Sequence, residues 1–353
     1  MLEGGTELAP ERTDNILWEG SRSDAPRGRV WQTEKGKMRT IVSILLLTGS
    51  VTAAAQSFGG LQMEPECSVF IVKQGRGRPQ QGLEMSGRYI FSLEDGGHVN
   101  VYDFKKADGV PVGGFELASS CPDNHANNVE FGIEKKRGAS FPLMYISNGK
   151  VGSDIEWTCF VESIKRCGKK FSSELAQTIK LDISGFAERG YEPIFGAPSW
   201  LIDRERKALW VFSAHQRTTP KVTLRAEDNF YIAYRFRIPA LSEGPEVTLT
   251  VDDLLQQVIF PYETWFTQAG CMQDGKIFYC FGVGKIDPEN RPSRIRVYDT
   301  DSGTIIAKYN LNEEVPYEME DLVIRDGWIY VNTNTSPRRG QGDPIIYKLS
   351  MPR

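Results

Sequence analysis

The sequence predicts an all-β fold, a five-bladed β-propeller, on three observations. Nearly every segment after Gln56 is a short run of β-forming residues closed by Gly, Asp, Asn or Pro. One short pattern recurs along the chain, and its last copy lacks a strand that the other end of the chain can supply. Six blades, with one long repeat hiding another, and a two-sheet sandwich are the alternatives. A sandwich does not account for the spacing of the copies.

The recurring pattern is clearest in residues 81–91 (QGLEMSGRYIF) and 266–280 (FTQAGCMQDGKIFYC). In both, a Gln is followed by a small residue, a Met four positions later, a glycine turn and a strand containing Ile-Phe. A third copy begins at Glu320 and has an Asp-Gly turn at Asp326, which favours a hairpin because both turn residues accept positive φ. Two looser copies lie between them. The five copies start at residues 81, 127, 198, 268 and 320.

Each copy continues with further predicted strands. The third and fourth strands read HVNVYDF and VGGFELA, WTCFVESI and LAQTIKLD, FYIAYRFRI and EVTLTV, and RIRVYDT and TIIAKYNL in the first four copies. The fifth copy ends at IIYKLS, so we predict that residues 67–73 (CSVFIVK) complete its blade and close the ring. Short helices are predicted only at 172–176 and 252–258. Insertion loops are predicted at 184–197, 215–228 and 252–264.

The start of the chain predicts an exported protein. From Met38 the sequence reads MRTIVSILLLTGSVTAAAQ, which has the positive, apolar and small-residue order of a secretory signal peptide with cleavage after Ala55. Its apolar run is too short to cross a bilayer, which takes about 20 residues. A buried helix is the alternative interpretation. We therefore predict a polar, disordered or non-native extension at 1–37, a signal peptide at 38–55 and one propeller domain at 56–353, periplasmic or extracellular and with no membrane span.

Composition narrows the range of partners and cofactors. The net charge of −4 gives no basic excess for tracking a phosphate backbone, so nucleic-acid binding is not expected. The six Cys include no C-x-x-C pair and the three His lie far apart, so no zinc site is predicted. We interpret the thiols as structural rather than catalytic. Their pairing and the oligomeric state are left open by the sequence.

The first strand of each propeller blade lines the central channel, so the starts of the five copies should meet at one mouth. This alignment places Gln81, Gln268 and Glu320 at one equivalent position and Asp321 at the next, with Asn127, Asn128 and Trp200 from the looser copies. We predict that this ring, together with Glu318, binds a ligand. Polar residues that only satisfy backbone groups are the competing interpretation.

Two residues of the ring are candidates for acid–base chemistry. His125 lies in CPDNHANNVEFG, where an imidazole is accompanied by three Asn, although the same residues also favour a turn. In YEMEDL, strand alternation would place Glu318 and Glu320 on one face and Asp321 on the other, so Glu320 could act as an acid or base. Calcium takes six to eight oxygens and the other blades offer mostly amides, so the sequence gives a calcium site no support and leaves any cofactor unknown. Glu84 aligns with Cys271, which predicts no acidic ring at that level.

The blade starts around Gln268 and Gln81 resemble the FTQGL-type blade start of the plant and bacterial glutaminyl cyclotransferases. The resemblance covers two of five repeats, including the later Val-Tyr-Asp pattern. It implies a five-bladed propeller that cyclises N-terminal Gln with a channel Glu and neighbouring Trp and Asn, which Glu320, Trp200 and Asn127 or Asn128 would supply here. The chain also resembles secreted single-domain propellers of unknown role from Bacteroidetes.

The sequence is compatible with three candidate functions. The first is binding of a small polar ligand, a glycan or a peptide at the channel mouth. The second is acid–base catalysis on the same ring, by a cyclotransferase or a carbohydrate hydrolase or lyase. The third is a protein–protein platform that uses the middle-blade loops.

Overall fold

A computed structural model describes residues 70–71, 80–106, 109–216, 229–261, 267–334 and 345–350. Within these ranges the chain forms 21 strands arranged in five sheets. The predicted upstream extension and the predicted signal peptide lie outside the described residues. No helix among the described residues is long and apolar enough to cross a membrane.

The strands follow one another from the centre of each blade outwards. A two-residue strand, β1 (Phe70–Ile71), precedes blade 1. Blade 1 contains β2 (Gln80–Ser86), β3 (Tyr89–Glu94), β4 (His98–Asp103) and β5 (Gly113–Glu116). Blade 2 contains β6 (Asn128–Phe131), β7 (Met144–Ser147), β8 (Thr158–Cys167) and β9 (Lys170–Leu181).

The remaining blades repeat this order. Blade 3 contains β10 (Phe195–Asp203), β11 (Ala208–Gln216), β12 (Asn229–Arg237) and β14 (Gln256–Pro261). The strand between the last two, β13 (Glu246–Leu249), belongs to the sheet of blade 2. Blade 4 contains β15 (Thr267–Gln273), β16 (Lys276–Phe281), β17 (Arg294–Asp299) and β18 (Thr304–Asn310). Blade 5 contains β19 (Glu318–Arg325), β20 (Trp328–Asn334) and β21 (Ile345–Ser350). Short 3-10 turns occur at Ala187–Arg189, Leu241–Glu243, Val251–Asp253 and Gly284–Ile286.

The N-terminal strand completes blade 5, as predicted. β1 pairs antiparallel with β21, with Phe70 opposite Ile346 and Ile71 opposite Ile345. The outermost strand of the last blade therefore comes from the start of the propeller sequence, which ties the two ends of the ring together.

Five apolar clusters hold the blades face to face in a ring. Each cluster lies between two successive blades, and the fifth joins blade 5 back to blade 1. Two of the contacts between blades are aromatic pairs, Phe91 with Phe131 and Phe212 with Tyr279. The protein is therefore a five-bladed β-propeller, and the six-blade and sandwich alternatives are wrong.

Three local predictions are also wrong. Residues 246–249 do not form the fourth strand of blade 3: β13 runs parallel to β9 and extends blade 2. The reason is that β9 is twelve residues long and offers a free edge, where Thr178 N–H donates to Pro245 O and Asp182 N–H donates to Leu249 O. The fourth strand is β14, so 252–258 is not a helix, and 172–176 is part of β9.

Candidate ligand site at the channel mouth

The innermost strands β2, β6, β10, β15 and β19 begin on the same face of the ring, and four of them carry a β-bulge at that point. Register shifts occur between Gln80 and Leu83, Phe195 and Ser199, Thr267 and Gly270, and Met319 and Asp321. The fifth, β6, follows Ala126, which has a positive φ of 47°. Bulges turn side chains out of the regular alternation, and they are frequent beside binding sites. The predicted ring of strand starts thus coincides with a ring of irregular backbone.

Below the mouth, a buried carboxylate joins three blades. Asp321 is fully buried, and its oxygens accept hydrogen bonds from the backbone N–H of Leu83 (2.9 Å), Val129 (3.2 Å) and Leu322 (2.8 Å). Asn128 Nδ2 adds a further bond at 3.2 Å. The inner edge of each blade has no neighbouring strand, so its N–H groups need such acceptors. Burial raises the pKa of Asp321, and these donors oppose the rise.

Asn128 extends this connection to blade 4. Its Nδ2 donates to Gly270 O at 2.6 Å, and its Oδ1 accepts from Ser147 Oγ at 3.2 Å. Both side-chain ends are therefore engaged within the protein. Asp321 and Asn128, two of the predicted ligand residues, lie together but hold the hub of the propeller.

Deeper in the channel, Glu130 and Glu84 play the same part as Asp321. Glu130 accepts from Ile202 N–H (2.7 Å) and from the N–H of Met272 (2.8 Å), in blades 3 and 4. Glu84 accepts from Phe131 N–H at 2.6 Å and pairs with Arg204 at 2.5 Å. Burial raises the pKa of Glu130 to about 8, against the opposing charge of Arg204. The sequence analysis compared Glu84 only with Cys271 and so did not consider Glu130, which lies beside Glu84 in the channel.

At the mouth itself, two carboxyl groups of blade 5 lie beside an amide of blade 4. Gln268 Nε2 donates to Glu318 Oε1 at 3.1 Å. Glu320 is only 3% exposed, and its pKa is held well above the usual range, first by burial and then by the negative charge of Glu318. A hydrogen bond with Asn334 opposes this rise. Glu320 therefore keeps its proton at pH values where an exposed glutamate has lost it.

His125 approaches the same group through Asp95. Its Nδ1 lies 2.9 Å from Asp95 Oδ1, in the β3–β4 turn of blade 1, and both side chains are partly exposed. The charge of Asp95 also raises the pKa of Glu320. The turn that the residue types favoured is also present, since Ala126 N–H donates to Asn124 Oδ1 at 3.1 Å and Ala126 has a positive φ. The His125 backbone N–H donates to Asn148 Oδ1 at 3.2 Å. His125, Asp95 and Glu320 form one electrostatic group across three blades.

Two other predicted residues reach the mouth with an oxygen unused. Asn127 is partly exposed and covers Gly149, where an added Cβ would come within 2.1 Å of Asn127 Oδ1. Gln81 lies in the bulge of β2 and is 2% exposed. Among the described residues, Asn127 Oδ1 and Gln81 Oε1 have no hydrogen-bond partner. Both oxygens are buried, so each is an acceptor suited to an ordered water.

Trp200 does not reach the mouth. Its side chain is fully buried in the apolar cluster between blades 2 and 3. Its backbone N–H donates to Ser147 Oγ at 2.9 Å, which fixes the inner edge of β10 to blade 2. The mouth position of blade 3 belongs to residues of the bulge before Ser199. Sequence alignment of the copies missed this offset because bulges leave no residue signature.

The sequence analysis also missed Asp95 and Asn334. Asp95 sits in EDGGH, which reads as an ordinary glycine turn. Asn334 ends β20, opposite Glu318, and only the cross-strand register brings it to the mouth. One signal could have found them. In a propeller, the second strand of each blade ends on the face where the first strand starts, so residues at the ends of β3 and β20 should lie near the mouth.

The described residues contain no group of three or more His, Cys, Asp or Glu side chains that would hold a metal ion. The five described cysteines are free thiols. Burial raises the pKa of the Cys271 and Cys280 thiols, which suits apolar packing and opposes nucleophilic roles. Cys271 and Cys280 are buried and fill part of the apolar cluster between blades 4 and 5.

No protein-family model and no curated protein matches the chain. Among solved structures, it is similar to the tail fibre of Staphylococcus aureus phage P68 (12% identity, TM-score 0.47), covering 81% of this chain and 52% of the fibre. The chain thus spans about half of that fibre. It is also similar to the Myxococcus xanthus glutaminyl cyclase (11% identity, TM-score 0.41), covering 80% of this chain and 96% of the cyclase. A third similar structure is the WD40 β-propeller domain of Doa1 (10% identity, TM-score 0.35), covering 77% and 63%. These scores carry no argument about function, and the fold rests on the sheet topology described above.

Proposed function

We propose that the protein is an exported propeller that binds a small polar ligand, a glycan or a peptide, at the channel mouth. The observation that carries the proposal is the pair Glu318 and Glu320 beside Gln268, where one carboxyl is partly exposed and the other is buried with its pKa raised. Hydroxyl and amine groups are suitable partners, because the site offers carboxyl and amide oxygens and one O–H donor.

The residues divide into those that hold the propeller and those left for a ligand. Asp321, Asn128, Glu130 and Glu84 have their oxygens or amides committed to neighbouring blades. The ligand would instead meet Glu318, Glu320, Gln268, Asn127 and His125. These five residues come from three different blades. A bound molecule would therefore contact several blades across the mouth rather than a single sheet.

Ligand-observed NMR with a panel of neutral and amino sugars and short peptides tests this proposal. Compounds that bind the wild type should lose binding in Glu318→Gln and Gln268→Ala. They should keep it in Glu205→Gln, which removes an exposed carboxylate in the turn between β10 and β11, at the opposite ends of the strands. Binding that persists equally in all three variants contradicts a site at the mouth.

A second function, acid–base catalysis, is favoured by the raised pKa of Glu320. A carboxyl with a raised pKa is suited to donate a proton to a leaving group or a carbonyl oxygen. For any compound found by NMR, we expect Glu320→Gln to retain affinity and abolish turnover if the site is catalytic. A pure binding site would show no turnover in either protein.

A further inference from the structure

A separate cavity of about 330 Å³ lies between blades 1 and 2. Arg88 and Tyr89 reach it from the β2–β3 turn, Lys106 from the β4–β5 connection, and Arg166, Lys169 and Phe171 from the β8–β9 hairpin. These connections are at the opposite strand ends from the mouth. The cavity is therefore independent of the site proposed above.

The floor of the cavity is aromatic and rigidly packed. The Tyr89 and Phe171 rings meet edge to face at 5.6 Å, and Phe171 stacks on Phe115 and Phe141 at 6.3 Å. Gly113 allows blade 1 to approach, because a Cβ there would lie 2.7 Å from the Phe171 ring. A rigid aromatic surface of this kind can receive the face of a ring at low entropic cost.

The walls of the cavity are strongly basic in a chain that is acidic overall. Four cations and one carboxylate line it, a net charge of +3, whereas the whole chain carries −4. Asp103 is committed to Arg88 by a two-point ion pair. Among the described residues, Lys106, Arg166 and Lys169 make no ion pair, so their charges are available to a ligand.

Arg166 links the charge to the floor. Its guanidinium lies 5.2 Å from the centre of the Tyr89 ring and 5.9 Å from that of Phe171. Cation–π contacts hold the guanidinium in place and leave its N–H edge free to donate to an oxyanion. A bidentate interaction with a phosphate, sulfate or carboxylate is the chemistry this geometry fits.

We propose that this cavity binds a small molecule in which an oxyanion is attached to a ring. The ring packs against Tyr89 and Phe171, and the oxyanion meets Arg166, with Lys106 and Lys169 at its rim. The volume lies at the lower end of the range of about 300–1,000 Å³ seen for small-molecule pockets, which suits a ligand of that size.

Calorimetry with four probes tests the proposal on the whole chain: phenyl phosphate, glucose 6-phosphate, inorganic phosphate and phenol. At least one ring-bearing phosphate should bind about tenfold more tightly than inorganic phosphate and than phenol, since only it uses both floor and walls. Comparing phenyl phosphate with glucose 6-phosphate distinguishes an aromatic from a sugar ring. The affinity should fall when salt is raised from about 20 to about 200 mM.

Variants locate the binding. Arg166→Gln should weaken binding of the ring-bearing phosphate about tenfold, because it removes the donor edge above the floor. Lys207→Gln removes an equal charge from an exposed turn outside the cavity and should leave the affinity unchanged. Ring-bearing phosphates that bind no more tightly than inorganic phosphate, or equal losses in the two variants, would overturn the proposal.

Discussion

Glu320 and Asp321 are adjacent carboxyl residues with different environments. Asp321 accepts four hydrogen bonds from N–H groups, whereas Glu320 is bonded to Asn334 and lies near the negative charges of Glu318 and Asp95. The bulge between Met319 and Asp321 produces this difference. In a regular strand, residues three apart face opposite sides of the sheet. Here Met319 and Leu322 pack into the same cluster, because the bulge inserts a residue between them. Asp321 is thus bonded to neighbouring blades at the hub, whereas Glu320 is not.

Replacing Glu320 by Gln should change how the stability of the protein depends on pH. A glutamate with a folded-state pKa above its unfolded value near 4.5 stabilises the fold fully below that value. This contribution is lost as pH rises through the folded-state pKa. Gln has no proton to lose, so Glu320→Gln should gain stability over the wild type by on the order of 1 kcal/mol for each pH unit between 4.5 and the folded-state pKa of Glu320, and no more above it.

Urea unfolding at mildly acidic, neutral and mildly basic pH measures this difference. Glu313→Gln, which removes a carboxylate whose side chain is 80% exposed, serves as the control and should follow the wild type at each pH. Parallel stability curves for Glu320→Gln and the wild type would show that Glu320 is ionised in the folded protein. In that case the acid–base role would lose its support.

Among the elements, β15 shows how closely the inner strands approach their neighbours. Gly270 lies at the end of its bulge, and its carbonyl accepts the bond from Asn128. A Cβ at this position would lie 2.0 Å from Phe278 O and 2.9 Å from Tyr279 Cα, both in the backbone of β16. Backbone atoms of a paired strand cannot move aside without breaking the ladder.

Gly270→Ala should therefore be strongly destabilising, by about 2 to 4 kcal/mol in the free energy of unfolding. Gly114→Ala, in the outer strand β5, is the matched control. Its nearest atom to an added Cβ is Val99 O at 3.1 Å, so we expect a loss of less than about 1 kcal/mol. Equal losses in urea unfolding would mean that β15 can shift outward and that the close approach has no structural role.

The elements also show what the sequence could and could not predict. Alternation and glycine turns identified the inner strands of all five blades, because those signals are local. β13 and β14 were misassigned, since the choice of edge on which a strand pairs depends on a partner distant in sequence. The bulges were missed for a similar reason. As a result Trp200 was expected at the mouth but lies in the core.

On the scale of the whole molecule, the ring depends on its last blade. Blade 5 has three strands from the end of the chain and one from near its start. Without β1, the backbone groups of β21 would form an exposed edge. We therefore expect the pairing of β1 with β21 to contribute to the stability of the whole ring and not of blade 5 alone.

Removing the closing strand should destabilise the whole propeller. A chain covering 56–353 keeps β1 and should melt at the same temperature as the full chain, because every described strand of the five blades lies within it. A chain covering 80–353 lacks β1 and should melt at least about 5 °C lower. A peptide of residues 64–76 added in trans should raise that melting temperature in a saturable way, since it can pair with β21. Equal melting temperatures for the two shortened chains would show that the fifth blade is stable with three strands. The coupling of the chain ends would then contribute little to the stability of the ring.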